Sequence, residues 1–515
     1  MNKLGILILF FTFLFQSCKK NETVSTDLPQ STPEAEGVSS QSIIDFLNTV
    51  ENSQNELQSF MFVRHGKVIA EGWWDPYKPE LKHTLYSLSK SFTSTAIGFA
   101  VGENLLSVND KVISFFPDEL PDMISNNLAK LEVRHLLTMS VGQDPEPTFS
   151  IISTYNWVKE FLATPIVHEP GTKFLYNTAA TYMLAAIIHK VTGENVVDYL
   201  QPRLFEPLAI TGADWEIDPK EVNTGGWGLR LKTEDLAKFG QLYLQNGVWN
   251  GKQVLPEGWA KEATTKKIDQ NPDATPEELA ENDWLQGYGY KFWRSRHNSF
   301  RGDGAYGQYV LVFPEEDAVI AITAETQNMQ NELDLVFDNL LPGMKERKLD
   351  EDKTTLKQLQ QKLTSLKLSP PNVKDISVAE NKFNGKTFVF EEMKPAKVLF
   401  KLENGTLEAT LSSENGNVET LNFGAGKWIL GETNIPVTSL LPLPNDNFLK
   451  LAPFKVAGAF SCPDENSMEL TLRYIESPHT EYYLFKTDGD KVSLERSNSR
   501  TNRMDKTVFE GTIQQ

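Results

Sequence analysis

The chain has 515 residues, 40% of them hydrophobic, 23% charged and 10% aromatic, which excludes a disordered or fibrous chain and suggests about three domains by length. Asp plus Glu number 69 against 50 Lys plus Arg, a formal net charge of -19, and so acidic a surface repels phosphate backbones, which argues against a nucleic-acid partner. The 2 Cys and 7 His contain no HExxH, no CxxC and no His pair three or four apart, so a zinc hydrolase is close to excluded and no metal site is expected.

Residues 1–18 read MNKLGILILFFTFLFQSC. Lys3 is a positive start, and Leu4 to Phe15 is an apolar run of twelve. A membrane-spanning helix needs about 20 residues, so the run fits a secretory signal instead. Phe15-Gln16-Ser17-Cys18 resembles a bacterial lipobox, which makes Cys18 the expected lipidation site and the protein an exported cell-envelope lipoprotein of the periplasm or outer membrane. The membrane is then a partner through a lipid anchor only. Cys462 remains as the other thiol, which leaves no intramolecular disulfide. Residues 19–33 are polar and read as a flexible tether.

Residues 34–348 read as one domain. Phe60 to Val63 and Val68 to Ala70 flank His65-Gly66-Lys67, a hairpin signal. The middle is helical in pattern: an apolar helix is expected from about Thr181 to Lys190. Another is expected after Thr233, read as its cap, with Glu234 and Asp235 in the first turn and Asn246-Gly247 as the stop. Tyr309 to Phe313 and Ala318 to Thr323 form a second hairpin pattern. The fold class is therefore α+β, an antiparallel sheet built from the two ends and covered by helices from the middle. Residues 349–379 read as a linker with a solvated helix at 351–367, ended by Pro370-Pro371. Residues 380–515 read as a small all-β domain with hairpin turns at Asn404-Gly405 and Asp488-Gly489. Its charged residues read as a solvated face, without chemistry.

The chemical signal begins at Ser87-Leu88-Ser89-Lys90, an S-x-x-K motif. With Ser87 at a helix start, Lys90 lies one turn on, on the same face, where its amine can share a proton with the hydroxyl. The apolar residues that follow suggest burial, which lowers a lysine pKa and yields a neutral amine base. Alone the motif is weak. With Ser and Lys each at roughly 6–7% of residues, about two chance matches are expected, and Ser17-Cys18-Lys19-Lys20 is one. Further signals follow in order. Tyr176 stands in EPGTKFLYNT, just before the expected helix, and Gly302-Asp303-Gly304 opens a strand in FRGDGAYGQY. Glycines there let a substrate lie close along the strand edge. The amide of Ala305 is expected to share a carbonyl oxygen with the amide of Ser87.

These motifs together resemble the serine β-lactamase-related superfamily, in its class C-like branch. That branch also holds D-alanyl-D-alanine peptidases, small esterases and nylon-oligomer hydrolases. Ser87 and Lys90 match its first motif, Tyr176 its Tyr-x-Asn motif, and Gly302-Asp303-Gly304 its Lys/His-x-Gly motif. Segments 134–142, 225–247 and 314–322 are similar too. The resemblance covers about residues 34–345. It implies a β-lactamase/transpeptidase-like fold with an all-helical subdomain.

The implied activity is acyl transfer through a covalent intermediate. Ser87 is the nucleophile, Lys90 and Tyr176 the base pair, and the amides of Ser87 and Ala305 the oxyanion hole. Thr178, Gly302, Asp303 and Gly304 bind substrate, and no cofactor is needed. Two departures bear on the substrate. Thr178 stands where the second motif has Asn, with Asn177 one place early. Gly302 stands where the third has a cation, with Arg301 beside it as a partial replacement and Asp303 adding negative charge. A small neutral or cationic ester or amide is therefore expected over an anionic lactam, and a Lys or His placed at 302 is expected to shift that preference. The alternatives are a D-amino-acid peptidase or β-lactamase, or a non-catalytic penicillin-binding-like sensor.

Overall fold

In the computed structural model, residues 28–391, 396–413, 416, 418–441 and 451–514 are described. The expected signal, Cys18 and residues 19–27 of the expected tether lie outside them. From residue 28 the chain is packed: Leu28 is buried, Gln30 bridges Val68, and the Ser31 amide donates to the Val68 carbonyl at 2.9 Å. Among the described residues no helix is long and apolar enough to cross a membrane.

Helix α1 (Ser40–Glu51) leads into strands β1 (Glu56–Arg64) and β2 (Lys67–Trp73), joined by the turn His65-Gly66 with both φ positive. A single-turn helix at Tyr86–Leu88 continues as α2 (Ser89–Gly102). The helical region holds α3 (Thr178–Thr192) and α4 (Thr233–Leu244). The chain then returns as β3 (Phe300–Gly304), β4 (Gln308–Phe313) and β5 (Ala318–Glu325), followed by α5 (Met329–Asn339) and α6 (Lys353–Thr364). The sheet order is β2-β1-β5-β4-β3, with a short edge strand at Trp293–Arg294. The two ends of the domain thus meet at the β1–β5 pairing, where Phe62 faces Ile320.

Both sheet faces are covered, which explains why β5 is apolar almost throughout. Alternate residues serve opposite layers. Phe60, Phe62 and Ile320 pack under α1, α5 and α6, while Met61, Val63 and Val319 pack with α2 and α4. Gly240 lets α4 approach closely, since a Cβ there would meet Val310 and Val319. Thr233 is the first residue of α4 and not its cap. The cap position is Lys232, whose amide donates to Asp235 at 3.0 Å, while the Thr233 hydroxyl bonds Ser59 at 2.6 Å. Helix α6 is wet on one side only: Leu359 and the following Leu366 join the core, and Gly72 makes room for Leu366.

The C-terminal part is a closed antiparallel barrel. Its strands are β6 (Thr387–Phe390), β7 (Lys397–Glu403), β8 (Thr406–Ser412), β9 (Val418–Ala425), β10 (Ile429–Thr433), β11 (Phe454–Ser461), β12 (Ser467–Tyr474), β13 (Thr480–Asp488), β14 (Lys491–Asn498) and β15 (Thr507–Gln514). The order β9-β8-β7-β6-β15-β14-β13-β12-β11 closes through a short parallel pairing of β9 with β11, and β10 also pairs with β11. Asn404-Gly405 is the expected two-residue turn, both φ positive. The second turn is displaced by one: Asp488 still pairs with Lys491, so the loop is Gly489-Asp490, with glycine in the first central place.

The barrel's charged residues are not all on a solvated face. Arg473, Glu476, His479 and Glu481 are buried, and several meet the first domain. Arg473 pairs with Glu56, the Tyr77 hydroxyl donates to the Ser477 carbonyl at 3.0 Å, and Gln58 Nε2 donates to the Pro478 carbonyl at 2.9 Å. The Thr84 amide donates to the Glu476 carbonyl at 3.0 Å, three residues before Ser87. The strand pattern alone could not reveal this interface, because alternation separates a strand's two faces without saying what covers either.

Candidate active site

Ser87 sits in the tight turn that opens α2. The preceding residue, Tyr86, has φ +47, a left-handed conformation unusual for a bulky side chain. One turn on, Lys90 Nζ lies 2.9 Å from Ser87 Oγ and donates to the Gly226 carbonyl at 2.7 Å. Lys90 is 1% exposed, and burial pulls its pKa down to about 7, although Glu146 and Asp303 pull the other way. Near neutral pH a large share of this amine therefore carries a lone pair. Ser89, by contrast, accepts the Leu229 amide at 3.2 Å and faces away.

Tyr176 lies in the loop before α3, beside Ser87, whose hydroxyl pulls the phenol pKa down against the larger effect of burial. Its ring stacks on Trp293 with centroids 5.6 Å apart, and Lys90 Nζ is 4.9 Å from its centroid. Burial outweighs that pull and raises the phenol pKa, so Tyr176 keeps its proton near neutral pH. Asn177 is the α3 cap: its side chain accepts from the Ala180 amide and donates to Gln143. Thr178 is the first residue of α3 and gives its amide to Glu146 at 2.9 Å. It lines a cleft of about 100 Å³ together with Ser87, Glu216 and Gly226. Burial raises the Glu216 pKa to about 7, with Trp227 Nε1 donating to the carboxylate at 2.7 Å. The cleft's far wall is apolar and belongs to the C-terminal part: Val437, Leu440, Leu451 and Phe454.

Strand β3 brings the third expected segment to the turn that holds Ser87. A Cβ on Gly304 would overlap the Leu85 carbonyl oxygen, so only glycine allows this approach, and Ala305 follows at the strand end. Gly302 is otherwise placed than expected. A Cβ there points at α2, 3.2 Å from both Leu88 Cγ and Ser91 Oγ. Nor is Arg301 available as a replacement cation. It is fully buried, its Nε donates to Asp303 at 2.9 Å and its Nη1 to the Asp283 carbonyl at 3.0 Å, and it stacks over Trp284 and Trp293. The added charge of Asp303 is correspondingly offset by Arg301.

Three neighbours had no clear signature in the sequence. Gly226 supplies the carbonyl that positions Lys90, and it lies in a segment already noted for its resemblance. Glu146 secures the amide of Thr178. Lys291 is buried with its amine 3.0 Å from Met139 Sδ, and burial, together with the charge of Lys90, drives its pKa well below the usual lysine value. An isolated Lys in an aromatic run gives no spacing to read. Among the described residues no cluster could hold a metal ion.

An antiparallel sheet covered by helices, with serine, lysine and tyrosine converging at the start of a buried helix, defines a serine-hydrolase class. The chain belongs to the Beta-lactamase family, whose model matches residues 56–340, and it is a serine hydrolase of that family. It is 26% identical over 282 residues to the 6-aminohexanoate-dimer hydrolase of Paenarthrobacter ureafaciens, covering 51% of this chain and 71% of the relative. It is 28% identical over 165 residues to the D-aminopeptidase of Brucella anthropi, 30% of this chain and 31% of that one. The octameric penicillin-binding protein homologue from Pyrococcus abyssi superposes with TM-score 0.47 and 16% identity over 91% of this chain and 99% of its own.

Proposed function

We propose that the protein hydrolyses a small, uncharged or cationic amide or ester through an acyl-enzyme on Ser87. The observation that carries this reading is the buried Lys90 amine 2.9 Å from Ser87 Oγ, with the Tyr176 ring centroid 4.9 Å from the same amine. Ser87 Oγ bonds to the substrate carbonyl carbon as its proton passes to the Lys90–Tyr176 pair, which acts as one unit. The amides of Ser87 and Ala305 hold the oxyanion; one such donor is worth about 2.7–4 kcal/mol. The tetrahedral intermediate expels the amine or alcohol, which takes the proton from the pair. Water then attacks the acyl-enzyme by the reverse route and frees Ser87. The relatives' names, a dimer amide hydrolase and an aminopeptidase, support amide substrates. The apolar far wall supports a neutral one.

The test is a panel of p-nitrophenyl esters, short amides and nitrocefin, with fluorophosphonate labelling mapped by mass spectrometry. Labelling at Ser87 with ester or amide turnover exceeding nitrocefin turnover is expected. Efficient nitrocefin hydrolysis, or labelling elsewhere, overturns the reading. The lipobox-like residues 15–18 support export and anchoring through Cys18. Two or more acyl chains would hold the protein stably at a membrane where one would not, and the mass of the mature N-terminus tests this.

A further inference from the structure

Outside the catalytic group, one buried imidazole joins the two domains. His479 comes from the C-terminal barrel, just before β13, and is 1% exposed. The Tyr86 hydroxyl lies 2.6 Å from its Nε2, and Glu325 Oε1 lies 2.6 Å from its Nδ1. Each ring nitrogen thus has a partner, the Glu325 carboxylate on one side and the Tyr86 hydroxyl on the other. Glu325 is itself held by the Ser499 hydroxyl at 2.7 Å, whose oxygen also accepts the Thr480 amide at 2.8 Å. The imidazole further meets Tyr306 edge-on, with ring centroids 4.7 Å apart. Tyr86 and Tyr306 touch as well, at 5.6 Å.

These two tyrosines flank the two proposed oxyanion donors. Tyr86 precedes Ser87, and Tyr306 follows Ala305. Both have positive φ, +47 and +66, which side chains this bulky adopt only when their surroundings compel it. A single side chain from the other domain therefore grips both halves of the site at their strained points. We infer that His479 is a positioning residue, through which the C-terminal barrel fixes the separation of the Ser87 and Ala305 amides. It touches no reacting atom. The inference rests on the acyl-enzyme reading for its catalytic consequence, but the grip itself is a property of the fold.

The experiment uses the full mature chain and the variants His479→Ala, His479→Gln, Tyr86→Phe and Leu494→Ala. Gln retains an acceptor for Tyr86 and a donor for Glu325; Leu494 lies in the barrel core, remote from the grip, and controls for general loss of stability. Two measurements are made on each folded variant: the rate of fluorophosphonate labelling with ester kcat and KM, and hydrogen exchange of the peptide spanning 84–89. Displacing a reacting group by about 1 Å costs on the order of 100-fold, so His479→Ala and Tyr86→Phe are expected to lower labelling and kcat by about 10- to 100-fold with little change in KM. Exchange at 84–89 rises in both. His479→Gln recovers most of the rate, and Leu494→Ala labels like wild type. Unchanged exchange and labelling in His479→Ala or Tyr86→Phe overturns the inference. So does a loss confined to KM, a loss equal in Ala and Gln, or a matching loss in Leu494→Ala. If His479→Ala fails to fold, Tyr86→Phe, which removes a single oxygen, decides. Absence of Ser87 labelling in the wild type defeats the hydrolase reading instead, and the exchange measurement still decides the grip.

Discussion

Lys90 owes its proposed role to its surroundings. A lysine in water is a cation at neutral pH, but burial brings this one to about 7. In the proposed mechanism the neutral amine is the form that accepts the Ser87 proton, and its fraction grows as pH rises through that value. Ser87 labelling is therefore expected to climb with pH to a plateau above about 7, measured as rate against pH at constant ionic strength. Lys90→Arg keeps a proton at every accessible pH, so it is expected to label at least about 100-fold more slowly throughout. A wild-type profile still flat between acid and neutral pH contradicts this. Ser87→Ala removes labelling outright with the fold retained. Ser89→Ala, whose hydroxyl serves the Leu229 amide, labels at a rate close to wild type.

At the scale of elements, the site depends on how closely β3 approaches the start of α2. Gly304 makes that approach possible against Leu85. Gly304→Ala forces strand and turn apart, and overpacking of this kind costs about 1–3 kcal/mol. A lower denaturation midpoint and slowed labelling are the expected outcomes, and a variant as stable and active as wild type refutes them. Gly302→Lys tests a different expectation. Read from sequence, residue 302 is the place for a substrate-holding cation. In the fold its side chain points at Leu88 and Ser91 beneath α2. The variant is thus expected to lose stability without gaining nitrocefin hydrolysis relative to esters.

At the scale of the whole molecule, the two domains share buried ionic contacts. Arg473 lies at their junction, paired with Glu56 and stacked near Tyr77 and Trp428. Removing one partner of a buried pair costs about 3–5 kcal/mol; Glu56 is partly exposed, so Arg473→Ala is expected near the lower end, read from chemical denaturation. A chain cut after residue 348 strips the partners from Glu56, Tyr77 and Tyr86 at once. Such a chain is expected to be poorly soluble or to label far more slowly than the full protein. A soluble truncation with full labelling would show that the barrel is dispensable to the site.

The local rules were legible in the residues themselves. The hairpins around His65-Gly66 and Asn404-Gly405 follow from turn chemistry, which acts over four residues. The pairing of Ser87 with Lys90 follows from helical periodicity, which places both on one face. Segments with strong patterns came through with their type intact and their ends shifted by a few residues, as at α3. What crossed long stretches of sequence was not legible. The Gly226 carbonyl, the buried Lys291, the direction of residue 302 and the capture of Arg301 by Asp303 depend on which surfaces meet. His479 is the clearest case: 392 positions separate it from Ser87 along the chain, and only the docking of the barrel sets it against Tyr86. Short-range periodicity and turn geometry suffice to bring Ser87 and Lys90 onto one face and to set the α+β pattern. The electrostatics and the far wall of the site come from folding, because burial and charge pairing belong to surfaces that only the packed chain brings together.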